Sequence, residues 1–144
     1  MTDWAGIVTL SEQTTVNPPV RRDDLESLRN SINLPLPTAY KDFLKFSDGL
    51  ELLSPVILSA RQAIFKNQEL RGEHWGELYL SFAGMFFFGE DADGDLFFFR
   101  ILNNEVDEGV FVWRHEDDSR IRVSYTLEAF LEQYISGKYD AWSL

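Results

Sequence analysis

Cysteine is absent from the 144-residue sequence, and histidine occurs only twice, as His74 and His115. Without cysteine the chain can form no disulfide, no thiolate nucleophile and no zinc–thiolate site. Two histidines cannot build a histidine-rich metal centre unless carboxylates complete it. The G-x-S-x-G motif, the phosphate-binding glycine loop and the H-E-x-x-H zinc pattern are missing as well. These absences predict a protein that is not an enzyme, uses no cofactor and has no tight metal site.

Long hydrophobic runs are also lacking. Unbroken apolar stretches such as residues 85–88 are far shorter than the roughly 20 residues that span a bilayer. The beginning, from Met1 to Asp3, has neither the positive charge nor the apolar run of a secretory signal. We therefore expect a cytoplasmic protein without a transmembrane helix.

Positive charge is scarce: 13 lysines and arginines stand against 24 aspartates and glutamates, which gives a net charge of −11. Such a chain repels the nucleic-acid backbone, so direct DNA or RNA binding is not expected. A basic protein would instead be attracted to it. Hydrophobic residues make up 44% of the sequence, which is enough for one domain with its own core.

Apolar residues recur with helical spacing in several segments that have recognisable starts or stops. Pro37 fits the first turn of a helix, Gly49 fits a left-handed stop, and Thr126 can cap the last helix. The pattern predicts helices over residues 22–31, 37–48, 60–68 and 127–136. Aromatic and β-branched runs predict an edge strand within 52–58 and strands over 78–83, 85–89, 96–101, 110–113 and 120–125.

This order of elements predicts an α+β fold, in which a central antiparallel β-sheet is flanked by helices. We expect the domain itself to span residues 20–144. Residues 1–19 mix polar residues with scattered apolar ones and end at Pro18-Pro19, so they are expected to form a weakly structured N-terminal lead-in.

Two aromatic runs, residues 85–88 and 96–99, flank an acidic turn that contains Asp93-Gly94. If this dipeptide is a two-residue hairpin turn, Phe88 pairs with Phe99 and Glu90 pairs with Phe97. Both faces of such a strand begin apolar, although only one can lie on the helices. Two explanations stay open for the other face: other segments cover it, or it is an exposed aromatic surface for a partner.

Carboxylates are concentrated in this turn and again after Trp113. A calcium loop of the EF-hand type is not expected, because Leu96 and Leu102 stand where its glycine and its bidentate glutamate belong. If both turns lie at one edge of the sheet, their carboxylates form one negative field, beside which an aromatic side chain of the hairpin could anchor a basic partner. The candidate partner-binding residues are Glu90, Asp91, Asp93, Asp95, Glu116, Asp117 and Asp118.

Three blocks of sequence occur in a recognisable order. Residues 36–44, Leu-Pro-Thr-Ala-Tyr-Lys-Asp-Phe-Leu, are followed by Ser-Asp-Gly at 47–49. Residues 88–97 join a strand to a loop and a Gly-Asp strand start, and residues 112–116, Val-Trp-Arg-His-Glu, precede the segment Thr-Leu-Glu-Ala-Phe-Leu at 126–131. In order and spacing these blocks resemble the SUKH superfamily, which includes a fungal cell-wall-assembly regulator and many bacterial toxin-immunity proteins. The family more often has Asn where Asp48 stands.

The resemblance implies a domain that binds proteins and carries no family-wide catalytic residues. For bacterial members the implied role is to neutralise a toxin, often a nuclease, and for fungal members it is that of a regulatory scaffold. The expected partner here is a basic toxin domain, bound by a monomer or weak dimer, and a regulatory interaction module is the alternative. A carbohydrate or calcium binder that uses Trp4, Trp75, Trp113 and Trp142 beside carboxylates is a further hypothesis.

Overall fold

The computed structural model describes residues 2–72 and 81–140. Within this part of the chain there are five helices and two antiparallel sheets, which confirms the predicted α+β class. The helices are α1 (Trp4–Val8), α2 (Arg22–Ile32), α3 (Thr38–Phe46), α4 (Ala60–Leu70) and α5 (Leu127–Ile135). The strands are β1 (Thr15–Val16), β2 (Leu50–Glu51), β3 (Pro55–Ile57), β4 (Met85–Glu90), β5 (Leu96–Leu102), β6 (Glu105–Arg114) and β7 (Ser119–Ser124).

The first sheet has the order β1-β2-β3 and the second has the order β4-β5-β6-β7. Of the predicted strand over 78–83, residues 78–80 lie outside the described part, and residues 81–83 do not form a strand. No helix among the described residues is long and apolar enough to cross a membrane.

The helices follow the apolar periodicity closely, and local capping sets their ends. The side chain of Thr126 accepts a hydrogen bond from Ala129 N at the start of α5, and Ser59 begins α4 with a reciprocal capping box. α3 ends at Phe46, two residues earlier than predicted, because Ser47 turns into extended backbone. Gly49 then has a φ of +102°, which is the predicted left-handed stop.

The N-terminal segment is better structured than its composition predicts. Asp3 accepts a hydrogen bond from Gly6 N at 3.0 Å and caps α1, and the ring of Trp4 packs edge-on at 5.2 Å against Phe43. Thr15 pairs with Glu51, so the segment also adds an edge strand to the small sheet. The expectation of a weakly structured lead-in was wrong because its few apolar residues are placed to reach the core. The boundary at residue 20 stays a prediction.

The hairpin between β4 and β5 has a longer loop than a two-residue turn. Glu90 pairs with Leu96 and Phe86 with Phe99, so the predicted pairing of Phe88 with Phe99 and of Glu90 with Phe97 was wrong. Residues 91–95 form the loop, which is closed by a hydrogen bond from Asp91 N to Asp95 O at 2.8 Å. The register also shifts between Phe87 and Gly89.

The two faces of the large sheet belong to two apolar clusters. Phe86, Phe88, Phe97 and Phe99 point into the main core with Tyr40 of α3 and Phe130 of α5. The opposite face forms a second cluster, whose members are Leu70, Phe82, Met85, Phe87, Leu96, Phe98, Phe111 and Trp113. Every phenylalanine of the hairpin is at most 2% exposed, and Leu70 of α4 and Phe82 pack in the cluster on the second face. The prediction of an exposed hairpin aromatic as anchor was wrong.

The outer edge of β4 is occupied by polar contacts from α4 and from the segment around β3. The Asn67 side chain both donates to Phe87 O and accepts from Phe87 N, each at 2.8 Å. Leu58 N donates to Phe88 O at 2.7 Å, and Ser54 Oγ donates to Glu90 O at 2.7 Å. This edge is therefore closed to further strand pairing.

Candidate functional site

The two acidic turns lie at the same edge of the large sheet, as the sequence hypothesis required. Leu96, which follows the β4–β5 loop, pairs with Trp113, and Trp113 pairs in turn with Arg120. The register therefore brings residues 91–95 and the β6–β7 turn at residues 115–118 to neighbouring strand ends.

Between these turns lies a cleft of about 890 Å³, here called the acidic cleft, which also reaches the β2–β3 loop and the end of α5. Its lining includes six carboxylates and one guanidinium, that of Arg114, which is only 5% exposed. The carboxylates are those of Asp91, Asp93, Asp95, Glu116, Asp117 and Asp140.

Five of the seven predicted residues line this cleft, and two do not. Glu90 is at the end of β4, where its carboxylate lies 2.9 Å from Lys66 Nζ of α4. Asp118 accepts hydrogen bonds from Trp113 Nε1 at 2.7 Å and from Arg120 Nη2 at 3.0 Å. These two carboxylates hold parts of the fold together.

Several carboxylates of the cleft are held in place by hydrogen bonds. The Tyr134 hydroxyl donates to Asp91 Oδ1 at 2.6 Å, which ties the hairpin loop to α5. Asp95 Oδ1 lies 2.8 Å from His115 Nδ1 and accepts from His115 N at 3.2 Å, which ties the two turns together. Hydrogen bonds from the Ser119 hydroxyl and amide lower the pKa of Asp117. Three of the six carboxylates, those of Asp91, Asp95 and Asp117, are thus oriented by hydrogen bonds.

Asp93 and Glu116 are exposed members of the cleft, as are Asp117 and Asp140. Asp93 Oδ1 accepts only from a backbone group of its own loop, Asp95 N, at 3.2 Å among the contacts of the described chain. Asp93 and Glu116 are therefore accessible to a ligand from solvent, and neither is one of the carboxylates described above as tying the loops to other segments.

Two tyrosines of the last segment also line the cleft, and the sequence analysis did not identify them. Burial raises the pKa of Tyr134, and the hydrogen bond to Asp91 raises it further. Burial likewise raises the pKa of Tyr139, assisted by the charges of Asp91 and Asp95. Both hydroxyls stay neutral at physiological pH. Tyr134 was recognisable only as part of an apolar helix stripe, which does not tell where a hydroxyl points.

An apolar residue stands on the rim of the acidic cleft. Leu53, in the β2–β3 loop, is 89% exposed and has a φ of +64°. Its neighbour Leu52 is buried, so the loop turns one leucine into the core and the other into solvent. No sequence signal distinguished them.

The chemistry of the cleft suits a positively charged group better than a metal ion. Within residues 2–72 and 81–140, no three His, Asp or Glu side chains form a group that could hold a metal. The carboxylates are instead spread along the walls of an open cleft, where ammonium or guanidinium groups can meet them one at a time.

Residues 22–131 match the family model SUKH_6, SMI1-KNR4 cell-wall, a span that includes all three blocks noted in the sequence. The chain belongs to the SUKH superfamily. None of the curated proteins compared with the chain matches it. SUKH domains are generally non-catalytic immunity or regulatory domains, and membership indicates a domain that interacts with proteins.

The residues that carry the SUKH resemblance are mainly structural. Leu36, Tyr40, Phe43 and Leu44 of the first block are all at most 4% exposed. Trp113 of the third block is 2% exposed. These buried motif residues identify the fold. The second and third blocks also contribute residues to the acidic cleft, namely Asp91, Asp93, Asp95, Arg114 and Glu116.

Proposed function

We propose that this SUKH domain binds a basic protein through the acidic cleft and acts as a toxin-immunity protein that neutralises a basic toxin, such as a nuclease. The observation that carries the proposal is the convergence of six carboxylates from three separate segments on one cleft. Family membership supports the coarser part, which is protein interaction.

Electrostatic interactions favour a basic partner both at long range and in direct contact. At long range, a chain with a net charge of −11 attracts a basic protein and speeds its encounter. At short range, Asp91 and Asp95 are already oriented by Tyr134 and His115, so little ordering is needed when a cation binds. Nucleases that grip phosphates present the matching positive surface.

An apolar anchor completes this surface. Because the hairpin phenylalanines are buried, we assign the anchor to Leu53, which projects from the rim of the cleft. An exposed apolar side chain that becomes buried on binding contributes holding energy, while the charges around it set the rate of encounter.

A regulatory scaffold is the second candidate and would use the same cleft for a basic segment of a non-toxic partner. The two roles differ in whether the domain suppresses an activity of its partner. Two of the four tryptophans in the carbohydrate-binding hypothesis cannot serve as binding surfaces, because Trp4 and Trp113 are 7% and 2% exposed. Trp75 and Trp142 lie outside the described residues. A cytoplasmic monomer or weak dimer accords with either role.

The test begins with capture of partners from the native host on the immobilised full chain, followed by association rates at low and high salt. The variant is Asp93→Asn with Glu116→Gln, since these carboxylates are exposed and do not tie the turns together. The matched control is Asp23→Asn with Asp42→Asn, which removes the same charge from exposed positions outside the cleft.

We expect a basic partner whose association with the cleft variant is severalfold slower and less dependent on salt than with the control. Suppression of the partner's toxic activity by the unmodified domain then distinguishes immunity from scaffolding. An acidic partner, or equal rates for both variants, would refute the assignment of the cleft.

A further inference from the structure

The outer face of the large sheet carries arginines that are stacked on aromatic rings. The guanidinium carbons of Arg100 and Arg122 each lie 5.2 Å from the ring centre of Phe111. Arg122 also lies 4.8 Å from the ring of Tyr125. We call Arg100, Arg122, Phe111 and Tyr125 the arginine face. In a chain with a net charge of −11, two guanidinium groups on one ring form an unusual local arrangement.

A single carboxylate serves both guanidinium groups. Asp107 Oδ2 lies 3.1 Å from Arg100 Nη2, which is a hydrogen bond, but 3.8 Å from Arg122 Nη2, which is longer than one. The Nε atoms of both arginines are buried and have no hydrogen-bond partner in the described chain. Arg122 is thus positioned by ring stacking and by an ion pair with Asp107, with its side chain 36% exposed.

The geometry selects the chemistry of a ligand for Arg122. Ring stacking occupies the flat faces of a guanidinium but leaves its edge accessible to a ligand. The N–H donors lie along this edge, and their spacing matches the two oxygens of a carboxylate. Beside it, Tyr125 is 76% exposed, so much of its ring is open to solvent although Arg122 stacks on it. Arginine and tyrosine are the residue types that dominate the energy of protein interfaces.

An acidic protein segment fits this surface better than a nucleic acid. Nucleic-acid binding needs many phosphate contacts along the backbone, and the net charge of −11 opposes it. A short segment needs only one or two carboxylates at the arginine face. Glu105 pairs with Leu102 at the β5–β6 turn, and its negative charge would repel an acidic segment there. We therefore expect the segment to bind over Arg122 and Tyr125, at the β7 side of the sheet.

We propose that the arginine face is a second docking surface, which binds an acidic segment of a partner protein through a carboxylate on the edge of Arg122 and an adjoining group on Tyr125. This surface lies toward the opposite strand ends from the acidic cleft, since Arg100 and Leu96 are at opposite ends of β5. It takes a ligand of the opposite charge and does not depend on the function proposed for the cleft.

The test is a nuclear magnetic resonance titration of the isotope-labelled full chain with a hexaglutamate peptide. Salt near 0.15 M limits the repulsion from distant carboxylates to about 8 Å. A hexathymidylate oligonucleotide and an uncharged Ser-Gly peptide of the same length are the comparison probes. The decisive variant is Arg122→Lys, which keeps the charge but loses the planar fork; Arg22→Lys, at a side chain that is 90% exposed on α2, is its matched control.

We expect amide shifts confined to residues 98–102, 107–112 and 119–125, and affinity about tenfold weaker in Arg122→Lys but unchanged in Arg22→Lys. Tyr125→Ala, which removes an exposed ring and so leaves the core intact, should also weaken binding. Shifts elsewhere, no saturable binding at millimolar peptide, equal affinity of the Arg122 and Arg22 variants, or tighter binding of the oligonucleotide would each overturn the proposal.

Discussion

Replacing Asn67 by leucine removes the side chain that hydrogen-bonds the outer edge of β4, while it keeps the number and branching of the side-chain heavy atoms. Asn67 is 4% exposed, and its amide donates to Ala63 O at 2.7 Å and to Phe87 O at 2.8 Å while it accepts from Phe87 N at 2.8 Å. In the variant, the N–H and C=O of Phe87 are left buried without these partners.

The expected loss follows from those two backbone groups. A buried polar group without a partner costs about 1–3 kcal/mol, so for two such groups the free energy of unfolding should fall by about 2–6 kcal/mol. For a chain of this size that corresponds to a midpoint lower by roughly 5–15 °C. Since domains are stable by about 5–15 kcal/mol in total, the variant should still fold at low temperature.

Urea unfolding and hydrogen exchange together test this reasoning. The matched control is Gln68→Leu, an exposed neighbour on the same helix, which should change stability by less than about 0.5 kcal/mol. The Phe87 amide should exchange faster in the Asn67 variant than in the control. Equal stability of the two variants, or unchanged protection of that amide, would refute the role assigned to Asn67.

Three further predictions concern the core, metal binding and pH. Phe130→Ala should lower the free energy of unfolding by about 3–5 kcal/mol, since Phe130 is 0% exposed. An unchanged thermal midpoint would contradict the placement of α5 in the core. Calorimetric titration should show no calcium or zinc binding tighter than millimolar, and a micromolar calcium affinity abolished by Asp93→Asn would contradict this. The raised pKa values of Tyr134 and Tyr139 keep these phenols neutral in the folded state, whereas they ionise near pH 10 when unfolded. The contribution of these two phenols to stability should therefore be constant below about pH 10 and fall above it, as urea unfolding at several alkaline pH values can measure.

The helices could be predicted because their signals are local. The stripe of Tyr40, Phe43 and Leu44 and the stop at Gly49 lie within one short segment, and the structure buries the first three as expected. The hairpin register could not be predicted in the same way. A Cβ atom at Gly89 would collide with the carbonyl oxygen of Val56, so the shape of β4 depends on a strand about thirty residues away.

The acidic cleft was predictable in part, because some of its signals are also local in the sequence. The density of carboxylates in each turn is visible in the sequence, and their strand order brings the turns together. Which carboxylates remain available depends on their side-chain partners: Glu90 pairs with Lys66 of α4, and Asp118 pairs with Arg120 two residues further along the chain. Asp140 reaches the cleft from beyond α5, which no pattern near the turns indicates.

The covered edge of β4 also determines how the chain is expected to aggregate. Residues 85–88, Met-Phe-Phe-Phe, have the uncharged, aromatic composition of segments that form intermolecular β-structure. While α4 and the β3 segment stay docked, no second chain can reach this strand. Aggregation should therefore begin with local detachment of α4, well before global unfolding. Substitutions in the α4 contacts should then increase turbidity on mild heating more than equally destabilising substitutions in the α1 contacts.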